Sequence, residues 1–330
     1  MKTLQGKTAF ITGAASGIGL GIAKACAKHG ANIVIADIRR PAIDEALTWF
    51  KDRGFPAHGI VLDVTSREQY AAAADEAESV FGNIHILVNN AGVEVPSGKI
   101  YNAAFKDADF IFSVNIGGIL NGIITVVPRI VSHGEEGHVI ATSSMAGMSV
   151  VPGAGLYNTT KQATIGMMES LASDLVGTNV GASAFCPGPV QSNLSQTSLV
   201  VRPDALKTEA APPPPPPPPI PTDDTHTAGF VAHQMPDFSR AFIPAEEAGE
   251  RVVRGILRGD LYIVTHPEFR NGVKARGDAM VRSFPDEVPS DPVRKEVFDG
   301  FFTFLTHNPV YDTQTTPGAP DWTVDWEVAK

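Results

Sequence analysis

A tyrosine and a lysine four residues apart, Tyr157 and Lys161, form a pair that could transfer a proton. If the segment is helical, both side chains lie on one face of the helix. A phenol has an ordinary pKa of about 10, and a neighbouring ammonium group lowers that pKa by favouring the phenolate. Ser144 follows an apolar run at 138–142, so a strand ending there would place a hydroxyl beside the tyrosine. These residues indicate acid–base chemistry, although an exposed tyrosine near a lysine is also a common chance pairing.

A second candidate site lies near the start of the chain, in the glycine-rich segment TGAASGIG. An apolar run at 7–12 precedes it and small apolar residues follow it, which is typical of a strand, a tight turn and a buried helix. Glycines let the backbone approach a pyrophosphate, whose charge the helix N-terminus favours. The candidate cofactor contacts in this turn are Gly13, Ser16, Gly17, Ile18 and Gly19.

The next apolar run, 32–36, ends in Asp37, which lies 24 residues after Gly13. That offset is close to the ~20 residues at which a carboxylate holds an adenosine ribose. Asp37 could instead cap a helix or lie in a solvated loop. With the preceding turn and helix, the dinucleotide interpretation is favoured. A 2′-phosphate would place like charges together at this acid, and Arg39 and Arg40 are expected to point to solvent.

Strands and helices alternate along most of the remaining chain. This pattern predicts an α/β fold with a Rossmann-like, doubly wound parallel sheet of about seven strands, covered on both faces. Ligands bind beyond the carboxyl ends of such strands. Predicted strands are 7–12, 32–36, 57–62, 84–88, 139–142, 180–185 and 261–265. Predicted helices after the first are 41–53, 66–81 with Ser66 as N-cap, 105–129, 157–176 and 245–257.

Further candidate residues follow the predicted strands or lie beside them. Small residues after the strand 84–88 would let the backbone pass close to a flat ligand, although an ordinary turn has the same composition. Asn115 lies in the middle of an apolar helix and needs hydrogen-bond partners if it is buried. The candidates of this group are Asp63, Val64, Asn89, Ala91, Gly92, Asn115, Pro187, Gly188, Val190 and Ser192.

The segment 191–244 lacks periodicity and contains eight consecutive prolines at 212–219, which form a polyproline II rod of about 25 Å. The rod is either a stiff spacer in a surface loop or a ligand for a proline-binding module. Apolar residues in the loop predict a lid over an apolar pocket: Leu194, Leu199, Phe230, Met235, Phe238 and Phe242. Aromatic residues in the tail are expected to pack on the scaffold or on a neighbouring subunit: Phe298, Phe301, Phe302, Phe304, Tyr311, Trp322 and Trp326.

Composition restricts the class of protein. The net charge of −10 argues against nucleic acid or an anionic membrane surface as a partner. Cys26 and Cys186 are predicted to be small core residues, so neither a metal site nor a disulfide framework is expected. The first strand begins within a few residues of the N-terminus, which predicts no signal peptide. No apolar run is expected to reach the ~18 residues of a membrane span, and a cytoplasmic location is favoured.

The motifs TGAASGIG, NNAG, YNTTK and PGPV, with Asn115 and Ser144 between them, resemble those of the short-chain dehydrogenase/reductases in order and spacing over about 7–267. The resemblance implies that Tyr157 is the acid–base group, Lys161 its partner on the nicotinamide ribose, Ser144 the residue that orients the substrate oxygen, and Asn115 the anchor of a water relay. It also implies adenine contacts at Asp63 and Val64, and it places Ser192 where a threonine usually lies near the carboxamide.

The segments HGIVLDVTSREQYAAAADEAESVFG, NGIITVVPRIVSHGEEGHVI and LYIVTHPEFRNGV also resemble the Cα-dehydrogenases that oxidise benzylic alcohols of lignin-type aryl ethers. The expected organisation is a catalytic domain at 1–270 that binds NAD, with a lid at 191–244, and a C-terminal extension at 271–330.

The expected activity is NAD-dependent interconversion of a secondary alcohol and a ketone on a bulky, largely apolar, aromatic substrate, with NADP less favoured. A homo-oligomer is also expected, because the helices 105–129 and 157–176 are apolar on more than one face. The alternatives are a catalytically silent nucleotide-binding protein and a proline-mediated scaffold of the same fold.

Overall fold

The structure, a computed structural model, describes residues 1–96, 98–207, 238–286, 291–301 and 308–311. Seven parallel strands form one sheet in the order β3-β2-β1-β4-β5-β6-β7. The strands are β1 (Thr8–Thr12), β2 (Asn32–Asp37), β3 (Ala57–Val61), β4 (Ile86–Asn89), β5 (Gly137–Thr142), β6 (Val180–Cys186) and β7 (Tyr262–Val264). The prediction of a doubly wound sheet of about seven parallel strands is therefore confirmed.

The helices lie on both faces of the sheet or follow it along the chain. They are α1 (Gly17–Lys28), α2 (Arg40–Lys51), α3 (Arg67–Phe81), α4 (Phe105–Phe112), α5 (Ile119–Ser132), α6 (Met145–Met148), α7 (Gly155–Asp174), α8 (Leu194–Val201), α9 (Ala245–Arg258), α10 (Arg270–Arg282) and α11 (Pro292–Gly300). Ser66 is the N-cap of α3, because its hydroxyl accepts a hydrogen bond from the Gln69 amide.

Each strand of the sheet centre is buried on both sides, which explains its unbroken apolar sequence. In β1, Phe10 pairs with Val34 of β2 and Leu87 of β4. Phe10 contributes to the core under α3, α5 and α7, whereas its neighbour Ile11 contributes to the core under α1, α2 and α9. The strand order reverses between β1 and β4, so the loops after these strands diverge and leave a crevice at the carboxyl edge.

The segment predicted as one helix at 105–129 extends to Ser132 and contains a π-helical turn, Ser113–Gly118, between α4 and α5. By length and composition, the described stretch Phe105–Ser132 could cross a membrane, so the expectation that no run reaches that length is wrong. Because Val126 and Ile130 are fully buried in the core against the sheet, we assign it as a core helix.

One other expectation differs from the structure. The segment 191–244 is not wholly irregular, since α8 lies within it; eight residues are too few to give a clear helical period. Among the predicted tail aromatics that the structure describes, Phe298, Phe301 and Tyr311 are exposed, and their packing on a neighbouring subunit stays a prediction. The proline run 212–219, Phe230, Met235, the side chain of Phe238, Phe302, Phe304, Trp322 and Trp326 lie outside the described part of the chain.

Candidate active site

A cleft of about 540 Å³ opens at the carboxyl edge of the sheet, where the strand order reverses. It brings together most of the residues that the sequence singled out. Those lining it are Gly13, Ser16, Gly17, Ile18, Asp37, Asp63, Val64, Ala91, Gly92, Ser144, Tyr157, Lys161, Pro187, Gly188, Val190 and Ser192. Three predicted site residues do not line the cleft and lie behind the residues that do: Gly19, Asn89 and Asn115.

The glycine-rich turn between β1 and α1 forms one end of the cleft. Gly13 and Gly17 have positive φ angles of 62° and 52°, which side chains other than glycine rarely adopt. Gly19 lies behind the turn, where an added Cβ would be 2.2 Å from the Gly13 carbonyl oxygen. Gly19 therefore permits close packing of α1 on the turn, and the amide groups at the start of α1 face the cleft.

The two asparagines after β4 have different roles. Asn89 is buried and its Oδ1 accepts a hydrogen bond from the Tyr70 hydroxyl at 2.9 Å, so it joins α3 to the sheet instead of contacting a ligand. Asn90 lines the cleft, and its Nδ2 donates to the carbonyl oxygens of Thr12 and Gly13. Asn90 was not among the predicted site residues, although it is the second residue of the NNAG motif.

Asp37 ends β2 inside the cleft and is buried. Its Oδ2 accepts a hydrogen bond from the Ala15 amide at 3.3 Å, which joins it to the glycine-rich turn. Arg39 does not point to solvent as expected: its guanidinium contacts both Asp37 carboxylate oxygens and donates to the Ser16 hydroxyl. Arg40 pairs with Asp44 on the exposed surface of α2. The difference arises because Asp37 and Ser16 together offer a partly buried arginine three acceptor atoms.

Asp63 and Val64 follow β3 and also line the cleft. The carboxylate of Asp63 accepts hydrogen bonds from the amide and hydroxyl of Thr65, which fix the loop. Val64 packs against Gly118 at the end of the π-helical turn, where an added Cβ would be 2.7 Å from a Val64 methyl group. This wall therefore has a fixed position relative to the core helix.

Tyr157, Ser144 and Lys161 meet in the middle of the cleft. Tyr157 lies in the first turn of α7, and Ser144 caps α6 by accepting a hydrogen bond from the Ala146 amide. The Lys161 ammonium donates to the Thr142 carbonyl oxygen at 2.9 Å and lies 5.3 Å from the centroid of the Tyr157 ring. The predicted helical spacing thus places both side chains on one face of α7.

Asn115 holds the loop after β4 against α7 from within the π-helical turn. Its Oδ1 accepts from the Val93 amide at 2.8 Å, and its Nδ2 donates to the Val93 carbonyl and the Thr160 hydroxyl. The π-helical turn displaces Asn115 from the regular helical path, as such turns commonly do at functional sites. The predicted need of a buried asparagine for partners is met by these three bonds.

Burial controls the protonation of the central pair. Loss of solvent raises the pKa of Tyr157 to about 12, an effect that the Ser144 hydroxyl opposes and the Glu94 carboxylate reinforces. The same loss of solvent lowers the pKa of Lys161 to about 8. Burial is the largest cause of the raised Tyr157 pKa, and the Lys161 ammonium is bonded to the Thr142 carbonyl oxygen. That Lys161 lowers the pKa of the tyrosine stays a prediction.

The other end of the cleft has apolar walls from the loop after β4, α4 and the segment after β6. The apolar residues lining this end are Val93, Phe110, Val114, Leu194, Val201, Leu206 and Phe242. Arg202 fastens the lid segment to α4, because its guanidinium bonds to Asp107 at 2.5 Å and lies over the Phe110 ring. Leu199 of the predicted lid is instead 68% exposed and faces away from the cleft.

These features fit a dinucleotide. The positive-φ glycine turn leaves no room for side chains, the helix N-terminus suits a pyrophosphate, and Asp37 offers carboxylate oxygens to a ribose. Tyr157 and Lys161 lie farther along the same cleft. A tyrosine–lysine pair beside a glycine turn that fits a dinucleotide, in a doubly wound sheet, is typical of the class of nicotinamide-dependent oxidoreductases.

The family model for short chain dehydrogenases matches residues 7–200. The chain therefore belongs to the short-chain dehydrogenase/reductase family and is an oxidoreductase. It is 35% identical to C alpha-dehydrogenase of Sphingobium sp. (strain NBRC 103272 / SYK-6) over 292 residues, 88% of this chain and 90% of that protein. It is 37% identical to Oxidoreductase UcpA of Escherichia coli (strain K12) over 216 residues, 64% and 81% of the two chains.

Solved structures agree with this assignment. The fold matches a short chain dehydrogenase/reductase from Burkholderia phymatum, solved in complex with NAD, with a TM-score of 0.74 and 30% identity. The match covers 88% of this chain and 100% of the other. The predicted family and its resemblance to Cα-dehydrogenases are both confirmed.

Proposed function

We propose that this protein is an NAD-dependent oxidoreductase that interconverts a secondary alcohol and a ketone on a bulky, largely apolar, aromatic substrate. The observation that carries the proposal is the meeting of Tyr157, Ser144 and Lys161 beside an apolar wall in one cleft. The similarity to a C alpha-dehydrogenase over nearly the whole of both chains supports the aromatic substrate.

In the oxidising direction, the Tyr157 phenolate accepts the hydroxyl proton of the substrate and becomes the phenol; in the reducing direction, the Tyr157 phenol donates that proton to the ketone oxygen and becomes the phenolate. Ser144 donates a hydrogen bond to the substrate oxygen. Lys161 binds the nicotinamide ribose and favours the phenolate, and Asn115 anchors a water relay that leads to Lys161. A bound nicotinamide ring supplies the hydride acceptor or donor.

NAD is the proposed cofactor, in preference to NADP. The buried carboxylate of Asp37 suits ribose hydroxyls and opposes a 2′-phosphate. The contacts proposed for the cofactor are those of the glycine turn, Asp63 and Val64, Ala91 and Gly92, and Pro187, Gly188, Val190 and Ser192. The buried position of Asn89 favours a structural role for it instead.

We further propose a catalytic domain at 1–270 with a C-terminal extension at 271–330, a homo-oligomer and a cytoplasmic location. Exposed apolar residues on α5, among them Leu120 and Ile124, support the oligomer. Two buried cysteines without a disulfide, Cys26 and Cys186, suit a reducing compartment. A catalytically silent nucleotide-binding protein or a proline-mediated scaffold is disfavoured by the complete Ser144–Tyr157–Lys161 set.

A substrate panel tests the proposal. Purified protein is given NAD and 1-phenylethanol or larger aryl alcohols, and the appearance of reduced nicotinamide is followed by absorbance. We expect kcat/KM for these alcohols to exceed that for 2-butanol and for polyols, because the lid end of the cleft is apolar. Better turnover of the small polar alcohols, or no turnover of any alcohol, would contradict the proposal.

A further inference from the structure

A carboxylate that the proposed chemistry does not use, that of Glu94, lies in the wall of the substrate end of the cleft. Its backbone is held on both sides. Val93 is bonded to Asn115 through both its amide and its carbonyl, and the Glu94 amide donates to the Ser198 hydroxyl of α8 at 2.9 Å. Glu94 therefore has a fixed place between the loop after β4 and the lid helix.

The Glu94 carboxylate has no hydrogen-bond donor or ion-pair partner within the described part of the chain, although Glu94 is half-buried. Two cations of this region are engaged elsewhere: Lys161 is bonded to the Thr142 carbonyl, and Arg202 to Asp107. The cleft that Glu94 lines also has apolar residues in its walls, including Phe110 and Leu206. The Glu94 carboxylate is therefore an acceptor without a donor among the described residues, at a wall where a bound ligand could supply one.

Glu94 also acts on the reacting centre, because its negative charge contributes to the raised pKa of Tyr157. The carboxylate is therefore close enough to sense charge at the catalytic hydroxyl. A substrate whose carbinol oxygen contacts Tyr157 would bring its neighbouring atoms or its ring substituents towards Glu94.

We propose that Glu94 determines substrate specificity by accepting a hydrogen bond from a second hydroxyl group of the substrate; this inference rests on the proposed function. The substrate class is then a hydroxylated aryl alcohol, with the extra hydroxyl either beside the reacting carbon or on the ring. Aryl hydroxy acids are disfavoured, because a substrate carboxylate would meet the like charge of Glu94. A site built for a donor discriminates strongly against an analogue that lacks it.

The test compares ketones that differ only at the group facing Glu94, by calorimetric titration of the NADH-loaded protein. One series is 2-hydroxyacetophenone, propiophenone and benzoylacetate. The other carries hydroxyl, methyl or carboxylate at the para position of acetophenone. The variants are Glu94→Leu and Glu94→Gln, and Glu45→Gln is the control because it removes the same charge from the exposed surface of α2.

In the wild type and Glu45→Gln, we expect the hydroxyl ketone of at least one series to bind about tenfold tighter or more than its methyl analogue. Glu94→Leu should remove that difference, and Glu94→Gln should raise the affinity for the carboxylate ketone. A hydroxyl preference that is absent in both series, or that survives in Glu94→Leu, would overturn the inference. Discrimination in binding without turnover of the corresponding alcohols would contradict the proposed function and leave the role of Glu94 supported.

Discussion

The guanidinium of Arg39 lies against the carboxylate of Asp37, with Nε 3.0 Å from Oδ1 and Nη2 3.2 Å from Oδ2. The same Nη2 donates to the Ser16 hydroxyl, so the arginine bridges the end of β2 and the glycine-rich turn. The surface where an adenosine ribose would bind therefore carries both a carboxylate that suits ribose hydroxyls and a cation that could neutralise a phosphate. Cofactor choice depends on the balance between these two residues.

We expect the wild type to use NAD with a higher kcat/KM than NADP. Asp37→Ala should narrow the preference by about tenfold, because it removes the hydrogen-bond acceptor for the ribose and frees Arg39 for a phosphate. Arg39→Ala should widen the preference for NAD over NADP, because the negative charge of Asp37 is then no longer neutralised and repels a 2′-phosphate more strongly. Initial rates with each cofactor at saturating alcohol measure both effects. Equal kcat/KM for NAD and NADP in the wild type would contradict the assignment of Asp37.

The exposed face of α5 should form a contact between subunits. Ile124 is 69% exposed on this helix, although most of the residues next to it in the sequence are apolar. We expect light scattering at micromolar concentration to give an oligomeric mass, and Ile124→Glu to lower it, because burying a charge against an apolar face is unfavourable. Val61→Glu on the edge strand β3 is the control, since Val61 is also exposed but lies at the far edge of the sheet. A monomeric mass for the wild type would refute the oligomer.

Close packing of α1 on α9 should make Gly249 sensitive to substitution. An added Cβ there would be 2.2 Å from the Gly21 carbonyl oxygen, and a backbone atom cannot rotate away as a side chain can. Gly249→Ala should lower the free energy of unfolding by about 1–3 kcal/mol, the range for overpacked cores. Gly277→Ala on α10, where no atom lies within 4 Å, should be neutral or stabilising. Denaturant unfolding measures both, and equal effects would contradict this account of the helix contact.

A buried histidine should make stability depend on pH. His138 Nε2 is hydrogen-bonded to the Ser183 hydroxyl in the core, and burial lowers the pKa of His138 from 6.5 to about 3. The unfolded chain binds a proton at this residue below about pH 6.5 and the folded chain does not until about pH 3, so stability falls as pH falls through that window. At pH 5 the contribution is about 2 kcal/mol. Unfolding measured at pH 7 and pH 5 should show this loss in the wild type, and a smaller one in His138→Asn. An identical pH dependence in both proteins would contradict it.

The sequence was sufficient to predict the sheet, because strands such as β1 and β4 are buried on both sides and appear as unbroken apolar runs ending in polar motifs. It also predicted the meeting of Tyr157 and Lys161, which depends only on helical spacing. Side-chain choices that depend on tertiary contacts were not predictable. Successive residues of a strand point to opposite faces, and only the register of β4 decides that Asn90 and not Asn89 faces the cleft.

The orientation of Arg39 was unpredictable for a similar reason, since it depends on the distance between Asp37 and Ser16 after β2 and the turn have packed together. Glu94 was also missed, because its importance lies in the absence of a donor among the described residues around it, and a sequence does not reveal which charges remain unpaired. The raised pKa of Tyr157 depends on burial, which is a property of the folded chain.

The central claim is that Tyr157 transfers the proton, and the most direct measurement is kcat for alcohol oxidation in Tyr157→Phe, together with calorimetric titration of NAD. The variant keeps the ring and loses the hydroxyl, so we expect NAD to bind as in the wild type while kcat falls by at least ~10²-fold. Tyr101→Phe, at a tyrosine that is 75% exposed and not among the cleft-lining residues, should retain full activity. A near-normal kcat in Tyr157→Phe with intact NAD binding would contradict the proposed mechanism.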